Sequence, residues 1–406
     1  MRSAQIAGCE IGNKSRMSQS VRDWVFMIWM SALLAACGSA GGDASGGVPS
    51  NIPVFHDQGN PERLSDWNLL RIDSGSLKLN DRVVAYDLNS SLFTDYAHKL
   101  RTVWLPEGKA ANYDAAEAFD FPVGTVISKT FYYPLADGAS PSDDRVLRTA
   151  DDTQNRLNSG FELSNVKLIE TRLLIRRKEG WVALPYVWND EQTDAVLMRT
   201  GDVKQLELVN ADQGGQSFPY IVPNANQCAG CHATNATTRL IQPIGPKARH
   251  LNRDFAYPDG VGNQLNAWQA KGLLVGSPDP DDAPRNVVWS DTDAPLDKRA
   301  RSYLDINCAH CHNRNGPADT SGLMLERDSA DGPSLGKCKL PIAAGTGTGN
   351  RKFGIVPGKP DESIFVYRMA STNPAEMMPE LGRSTAHEEG VALIRNWIAE
   401  MQGSCG

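Results

Sequence analysis

The pentapeptide Cys-x-x-Cys-His occurs twice in this chain of 406 residues, at 228–232 and 308–312. This spacing is the attachment signature of c-type haem. Two thiols three residues apart on one helical turn can form thioethers with the porphyrin vinyl groups, and the histidine that follows can ligate the iron. The predicted attachment residues are Cys228, Cys231, Cys308 and Cys311, with His232 and His312 as proximal iron ligands. The sequence therefore predicts two covalently bound haem c groups.

Two other chemistries use paired cysteines. A structural zinc site uses Cys-x-x-Cys pairs that usually lie closer in sequence, without a fixed histidine after each pair. A thioredoxin-like redox pair belongs between a strand and a helix, and the sequence predicts that setting at neither motif. Haem attachment is favoured over both, because the N-terminus predicts export.

The export signal lies at residues 1–36. Residues 25–36 form an apolar run that is too short to span a bilayer as a helix, and Arg22 precedes it. The run ends in Leu-Ala-Ala-Cys-Gly, which resembles the bacterial lipobox, so Cys37 is predicted to become the lipid-bearing first residue of the mature protein. An ordinary signal peptide that ends near a cysteine stays open. Residues 37–58 are predicted to be a flexible tether.

The charge balance points to the kind of partner. The full chain has a formal net charge of -7, and cleavage before Cys37 would leave about -9. Such an acidic protein is not expected to bind nucleic acid. It is expected to attract a positively charged redox partner protein through electrostatic steering.

The cysteine count leaves one pair over. Of eight cysteines, four lie in the motifs, one is the predicted lipid site and one lies in the leader. Cys338 and Cys405 remain, and two spare thiols in an oxidising compartment predict a disulfide. Two unpaired buried thiols are the alternative.

The mature chain is predicted to be multidomain, with β structure followed by α structure. Residues 59–220 contain short alternating or apolar runs between turn signals, which favours a domain like an antiparallel β-sandwich. Four runs carry this prediction: 82–86, 125–133, 167–175 and 181–184. A mainly helical c-type cytochrome region follows, divided into an atypical first haem module, 221–294, and a cytochrome c-like second module, 295–406.

The second module contains most features of a small c-type cytochrome. Helices are predicted at 295–307 and 385–401, and their crossing is expected to involve Ala300 and Tyr303 on the first helix. The Pro317 carbonyl is predicted to accept a hydrogen bond from His312 Nδ1. The Met-Pro sequence before the last helix makes Met378 the expected sixth ligand. The alternatives are Met377, or core packing for both methionines.

The first module is less complete. The residues before Cys228 include two prolines and predict no leading helix, and no methionine lies between His232 and Cys308. His250 is a candidate sixth ligand. A ligand from the β-rich domain, an open iron and a distant methionine such as Met324 are the alternatives.

Several segments together resemble a family of exported bacterial dihaem c-type cytochromes of uncharacterised function. They are residues 85–97, 121–125, 299–312, 355–358, 376–382 and 390–398. Members carry signal or lipoprotein peptides, and their genes commonly lie beside a parallel β-helix repeat protein. The resemblance implies two haem irons, a place in the cell envelope and a β-helix protein as a partner.

The sequence favours an electron carrier over a catalyst. The predicted protein is a lipid-anchored dihaem cytochrome that transfers electrons in the bacterial envelope, facing the periplasm or the cell surface. One alternative is a haem enzyme, peroxidase-like or another oxidoreductase, with an open first iron. Another is a β-domain binding module with accessory haem, in which Trp181, Tyr186 and Trp188 stack on glycans. The charged run 95–101 is a further candidate site or a solvated face.

Overall fold

The described fold is mostly β-structure, and its six α-helices all follow residue 224. The computed structural model describes residues 51–150, 156–157 (backbone only), 160–210, 214–342 and 344–406. Within these ranges the chain forms seventeen strands and six α-helices. The strands are β1 (Leu70–Asp73), β2 (Ser76–Leu79), β3 (Val84–Tyr86), β4 (His98–Trp104), β5 (Ala111–Asn112), β6 (Val126–Pro134), β7 (Arg145–Leu147), β8 (Arg156–Leu157), β9 (Gly160–Glu162), β10 (Val166–Arg177), β11 (Gly180–Trp188), β12 (Ala195–Leu197), β13 (Asp202–Asn210), β14 (Gly214–Val222), β15 (Asp254–Tyr257), β16 (Gly260–Asn263) and β17 (Leu274–Val275).

A six-stranded antiparallel sheet organises the β-rich part. Its strand order is β12-β11-β10-β6-β4-β3. All four runs that the sequence predicts as strands lie in this sheet, as β3, β6, β10 and β11, so the prediction of β structure here is confirmed. These strands are rich in β-branched and aromatic residues, which suit a pleated and buried surface.

Smaller sheets cover both faces of the six-stranded sheet. Successive side chains of β6 point to opposite faces. Tyr132 packs with Leu77 and Phe161 of the four-stranded sheet β1-β2-β9-β8. Its neighbours Phe131 and Tyr133 pack with the three-stranded sheet β14-β13-β7. Strands β13 and β7 run parallel, whereas β13 and β14 are antiparallel.

The helices lie in the second part of the chain. They are α1 (Ala225–His232), α2 (Ala248–Leu251), α3 (Gln264–Ala270), α4 (Leu296–Cys308), α5 (Ile364–Ala370) and α6 (Glu388–Glu400). The sequence correctly predicts helices at α4 and α6, although α6 begins three residues later than expected. It also predicts a helix over 263–274, but α3 ends at Ala270, because Gly272 adopts a left-handed conformation with φ 70° and stops it.

Both parts share a core. One apolar cluster joins Val103 and Ile127 of the six-stranded sheet to Trp268 of α3 and Ile306 of α4. The span Ser50–Gly406 forms one compact unit. The predicted signal peptide and the lipid site Cys37 lie outside the described residues.

Candidate functional site

The first motif is built into a short capped helix. Strand β14 ends at Val222, and Asn224 caps α1 by accepting from the Gln227 backbone N–H at 2.9 Å. The Gln227 side chain accepts in return from the Asn224 backbone N–H, also at 2.9 Å. The absence of a leading helix is as predicted, but the prediction that this motif lacks a strand-to-helix setting is wrong. The strong cap starts a helix directly after the strand despite Pro223.

His232 is oriented as a neutral imidazole. Its Nδ1 lies 2.8 Å from the Gln242 carbonyl oxygen, which can only accept, so Nδ1 carries the proton and Nε2 keeps its lone pair. Burial, followed by the charge of Lys129, lowers the pKa of His232 to about 3. A neutral ring held through Nδ1 is the form in which histidine ligates a metal.

His312 of the second motif is held in a similar way by a different partner. Its Nδ1 lies 3.1 Å from Ser321 Oγ. The Ser321 hydroxyl donates to the Ala318 carbonyl at 2.6 Å, so it accepts from His312. The prediction that the Pro317 carbonyl accepts from His312 is wrong. The 3-10 turn Asp319–Ser321 brings the Ser321 hydroxyl to the His312 ring instead. Burial lowers the pKa of His312 to about 4, which keeps this ring neutral as well.

The helix that leads into the second motif packs on the C-terminal helix. Ala300 and Tyr303 of α4 share an apolar cluster with Ile394 and Trp397 of α6, which are the residues predicted to meet. The helices approach closely at Gly390, where an added Cβ would lie 2.3 Å from Tyr303 Oη. The Trp397 indole N–H donates to Asp297 at 2.9 Å. This hydrogen bond ties the first turn of α4 to α6.

One cavity of about 460 Å³ adjoins both motifs. This volume falls in the range of small-molecule and cofactor sites. The second motif contributes Cys308, His310, Cys311 and His312, and the first motif contributes Gly230 and Cys231.

The predicted sixth ligand lines the same cavity as His312. Met378 contributes to its wall, whereas Met377 is 6 % exposed and does not. Sequence reasoning missed Met369, which lines the cavity from α5. The helical spacing of Met369 marks it only as an apolar-face residue, so no sequence signal distinguishes it from core.

The two motifs are in direct contact. The Cys311 thiol lies 3.8 Å from the Gly230 carbonyl oxygen. A backbone hydrogen bond of 2.7 Å runs from Ala236 N to the Asn315 carbonyl, and so joins the segments that follow the two motifs. Sequence separation alone does not predict this contact.

A row of cations lies across the sheet beneath the first motif. Arg101, Lys129 and Arg172 are direct cross-strand neighbours on β4, β6 and β10. Arg101 is paired with Asp87 at 2.6 Å, and Arg172 with Glu170. Lys129 forms no ion pair with any residue that the structure describes. Burial and then Arg172 lower the pKa of Lys129 to about 7. Like charges in register repel each other, so this part of the sheet is electrostatically unfavourable.

The cysteine environments bear on the two alternative chemistries. Burial raises the pKa of all four motif thiols, to about 12 at Cys308 and Cys311. A nucleophilic redox pair needs a lowered thiol pKa, so a thioredoxin-like role is not supported. Across the described ranges, no group of three or more His, Cys, Asp or Glu side chains is arranged to hold a metal ion. Haem needs no such group, because the porphyrin supplies four nitrogen ligands.

His250 lies in a separate buried polar cluster. It is 2 % exposed, and its Nδ1 lies 3.3 Å from Asn286 Nδ2. Its Nε2 lies 3.9 Å from Asp305, which forms a two-point hydrogen bond with Arg249. His250 does not line the cavity between the motifs, and neither does Met324.

The other candidate residues make contacts that support the fold. Cys338 and Cys405 form a disulfide with an S–S distance of 2.13 Å. Trp181 and Tyr186 are buried in apolar clusters of the six-stranded sheet, as is Trp188. Asp95, at the start of the charged run 95–101, is 2 % exposed and binds the backbone N–H groups of Ser384 and Thr385.

No protein-family model, curated protein or solved structure matches this chain. Among the residues that the structure describes, none of the helices is long and apolar enough to cross a membrane.

Proposed function

We propose that this protein is an exported dihaem c-type cytochrome that transfers electrons in the bacterial envelope. The observation that carries the proposal is that His312 and Met378 line one cavity together with both cysteines of the second motif. His312 keeps an unprotonated Nε2, because its Nδ1–H donates to Ser321. Thiol, imidazole and thioether groups thus line one cavity.

The residues present fit covalent haem at both motifs. Cys228 and Cys231 would hold one haem with His232 as the iron ligand, and Cys308 and Cys311 the other with His312. The His232 ring, held through Nδ1 by the Gln242 carbonyl, keeps an unprotonated Nε2 that could ligate iron. A haem c held at each motif supplies one-electron redox chemistry.

His312 and Met378 both line the cavity that adjoins the two motifs, and this favours electron transfer over catalysis. If both His312 and Met378 ligated the iron of a bound haem, they would leave no position for a substrate and would raise its reduction potential. Apolar side chains that include Leu304, Leu325 and Phe365 line part of this cavity. In this proposal the helical part is cytochrome c-like, and the sandwich-like β-rich part supports the first motif.

The cellular setting in the proposal comes from the sequence. The segments that resemble exported dihaem cytochromes support that family, and the lipobox-like run supports a lipid anchor at Cys37. The acidic surface favours a basic redox partner. A parallel β-helix repeat protein is the candidate that the family resemblance implies.

Haem stoichiometry tests the proposal. The full chain is expressed in a host that matures c-type haem, and haem per polypeptide is determined by the pyridine haemochrome assay. We expect two haems in the wild type and one in each of the double variants Cys228→Ala/Cys231→Ala and Cys308→Ala/Cys311→Ala. Cys338→Ala/Cys405→Ala is the matched control and should retain two. A wild-type value of one haem would overturn the dihaem proposal.

Membrane fractionation tests the anchor separately. Wild-type protein should sediment with membranes and be released by detergent. Cys37→Ala should lose the lipid and appear in the soluble envelope fraction. Membrane association that persists in Cys37→Ala would contradict the lipid anchor while leaving the haem proposal intact.

A further inference from the structure

Three cationic side chains line the cavity that adjoins the two motifs. Lys339, Arg368 and Arg383 contribute to its wall, whereas Glu380 is the one carboxylate there among the residues that the structure describes. The chain as a whole has a formal net charge of -7. A cavity with an excess of positive charge in an acidic protein favours a ligand that carries negative charge.

Arg383 is buried, and it forms no ion pair within the described part of the chain. It is 5 % exposed. Its Nη atoms donate to the carbonyls of Ser371, Met378 and Thr385 at 2.8, 2.9 and 2.9 Å. Its buried Nε–H has no hydrogen-bond partner among the described residues. Burial lowers the pKa of Arg383, and the charge of Asp95 offsets this only in part. A buried charge with an unsatisfied donor calls for an anionic partner.

Arg368 reaches the same cavity from α5. Its Nε donates to the Glu376 carbonyl at 2.9 Å. Its Nη2 lies 3.9 Å from Glu380 Oε1, which is too long for a hydrogen bond, and the Glu380 side chain is 65 % exposed. Burial lowers the pKa of Arg368 as well. The planar fork of an arginine suits a carboxylate, so the two guanidinium groups together fit a ligand of that class.

Hydrogen bonds join the two arginines to Met378. The Arg368 carbonyl accepts from Met378 N at 2.9 Å and from Arg383 Nη2 at 3.2 Å. The same Nη2 donates to the Met378 carbonyl. The two cations and the segment that carries the predicted sixth ligand therefore form one hydrogen-bonded unit in the cavity wall.

We propose that Arg368 and Arg383 form a carboxylate-binding site that holds a propionate of the second haem. This inference rests on the proposed dihaem function. A propionate paired with these arginines compensates the buried positive charge. It also fixes the acidic edge of the porphyrin relative to Met378, because the same arginines contact that segment.

A crystal structure of the wild-type holoprotein tests the placement directly. We expect a propionate oxygen of the haem attached at Cys308 and Cys311 to lie within about 3.2 Å of a nitrogen of each arginine. The inference is overturned if both propionates of that haem bind other residues or face solvent. The haemochrome value of the same preparation separates the two proposals. Two haems with propionates placed elsewhere reject the carboxylate site alone, whereas fewer than two haems reject the dihaem proposal.

Arg368→Gln tests the charge in solution. The variant keeps the backbone carbonyl that holds Met378, so the His/Met signature in magnetic circular dichroism should persist. The reduction potential of the second haem should fall, because an uncompensated propionate stabilises ferric iron. The propionate bending band in the resonance Raman spectrum should shift. Arg368→Lys should restore much of the potential but not the band, since an ammonium lacks the planar fork.

Arg351→Gln is the matched control. Arg351 stacks on Tyr367 and donates to the carbonyls of Gly349 and Asp361, but it does not line the cavity. Its replacement should leave the potential and the propionate band unchanged. An Arg368→Gln protein whose potential and propionate band both equal those of the wild type would reject Arg368 as a propionate ligand.

Discussion

The Asp95 carboxylate accepts two hydrogen bonds from Thr385, from its backbone N–H at 2.7 Å and its hydroxyl at 2.8 Å. Asp95 follows the turn before β4, and Thr385 lies between the Met378 loop and α6. Ser384 N donates to the same carboxylate at 2.8 Å. The β-rich part thus holds the segment that carries the predicted sixth ligand of the second haem.

Asp95→Asn should loosen that segment. An amide cannot replace a carboxylate that accepts from several donors, and hydrogen bonds to a charged group contribute about 1.5–3 kcal/mol each. We expect a loss of about 2–4 kcal/mol in the free energy of unfolding and a weaker His/Met signature. Denaturant unfolding and magnetic circular dichroism measure these. Asp73→Asn, at an exposed pair with Lys78, should leave the free energy of unfolding nearly unchanged, and equal losses in both variants would contradict the role of Asp95.

Ser321→Ala should alter the second haem through His312. Without the hydroxyl, Nδ1–H has no acceptor, the imidazole becomes a weaker donor to iron, and the reduction potential rises. A hydrogen bond of about 1 kcal/mol corresponds to a rise of about 40 mV for a one-electron couple. Spectroelectrochemistry measures the potential. Ser334→Ala is the control, and an unchanged potential in Ser321→Ala would assign His312 another partner.

Lys129 should make stability depend on pH. Its pKa in the folded protein is about 7, below the ordinary value of 10.5. The folded state therefore binds fewer protons than the unfolded state between these values, and stability rises with pH across that window. Lys129→Met should remove a rise of about 1–2 kcal/mol between pH 7 and 9. Urea unfolding at both pH values measures it.

Lys204→Met is the control for this pH effect, because Lys204 lies near Asp190 and Asp202 rather than in the cation row. Its pH profile should match that of the wild type. A Lys129→Met profile that also matches the wild type would show that Lys129 stays protonated between pH 7 and 9 in the folded holoprotein, and would contradict the prediction.

Gly390→Ala should push α4 and α6 apart at the point where they cross. The added Cβ would lie 2.3 Å from Tyr303 Oη and 2.6 Å from His387 Nδ1, so one helix must move. Overpacking of this kind costs about 1–3 kcal/mol. Thermal unfolding measures the change. Gly262→Ala is a matched control, because an added Cβ there meets no atom within 4 Å, and equal melting temperatures for both variants would contradict a tight crossing.

The Cys338–Cys405 disulfide joins residues 67 positions apart. By the loop-entropy estimate, Cys338→Ala/Cys405→Ala should lose about 4 kcal/mol of unfolding free energy. Wild-type protein unfolded in the presence of a thiol reductant should show the same loss. If the reductant leaves the wild type unchanged, the disulfide is either absent or inaccessible in the native protein.

Local sequence patterns predicted the two motifs and several of the strands and helices. Two Cys-x-x-Cys-His runs predict covalent haem attachment, because the spacing of two thiols on one turn suits the porphyrin edge. Short runs rich in apolar, β-branched and aromatic residues between turn signals marked β6 and β10 as strands. The same holds for α4 and α6, whose apolar faces repeat at helical spacing.

Tertiary structure decided which distant groups meet. The acceptor for His312 is Ser321 rather than the Pro317 carbonyl because a 3-10 turn sets its direction. The cation row forms only when β4, β6 and β10 align in register. The two motifs meet, with the Cys311 thiol 3.8 Å from the Gly230 carbonyl oxygen, only in the folded chain. Such contacts depend on packing between segments far apart in sequence, and no local pattern of residues encodes them.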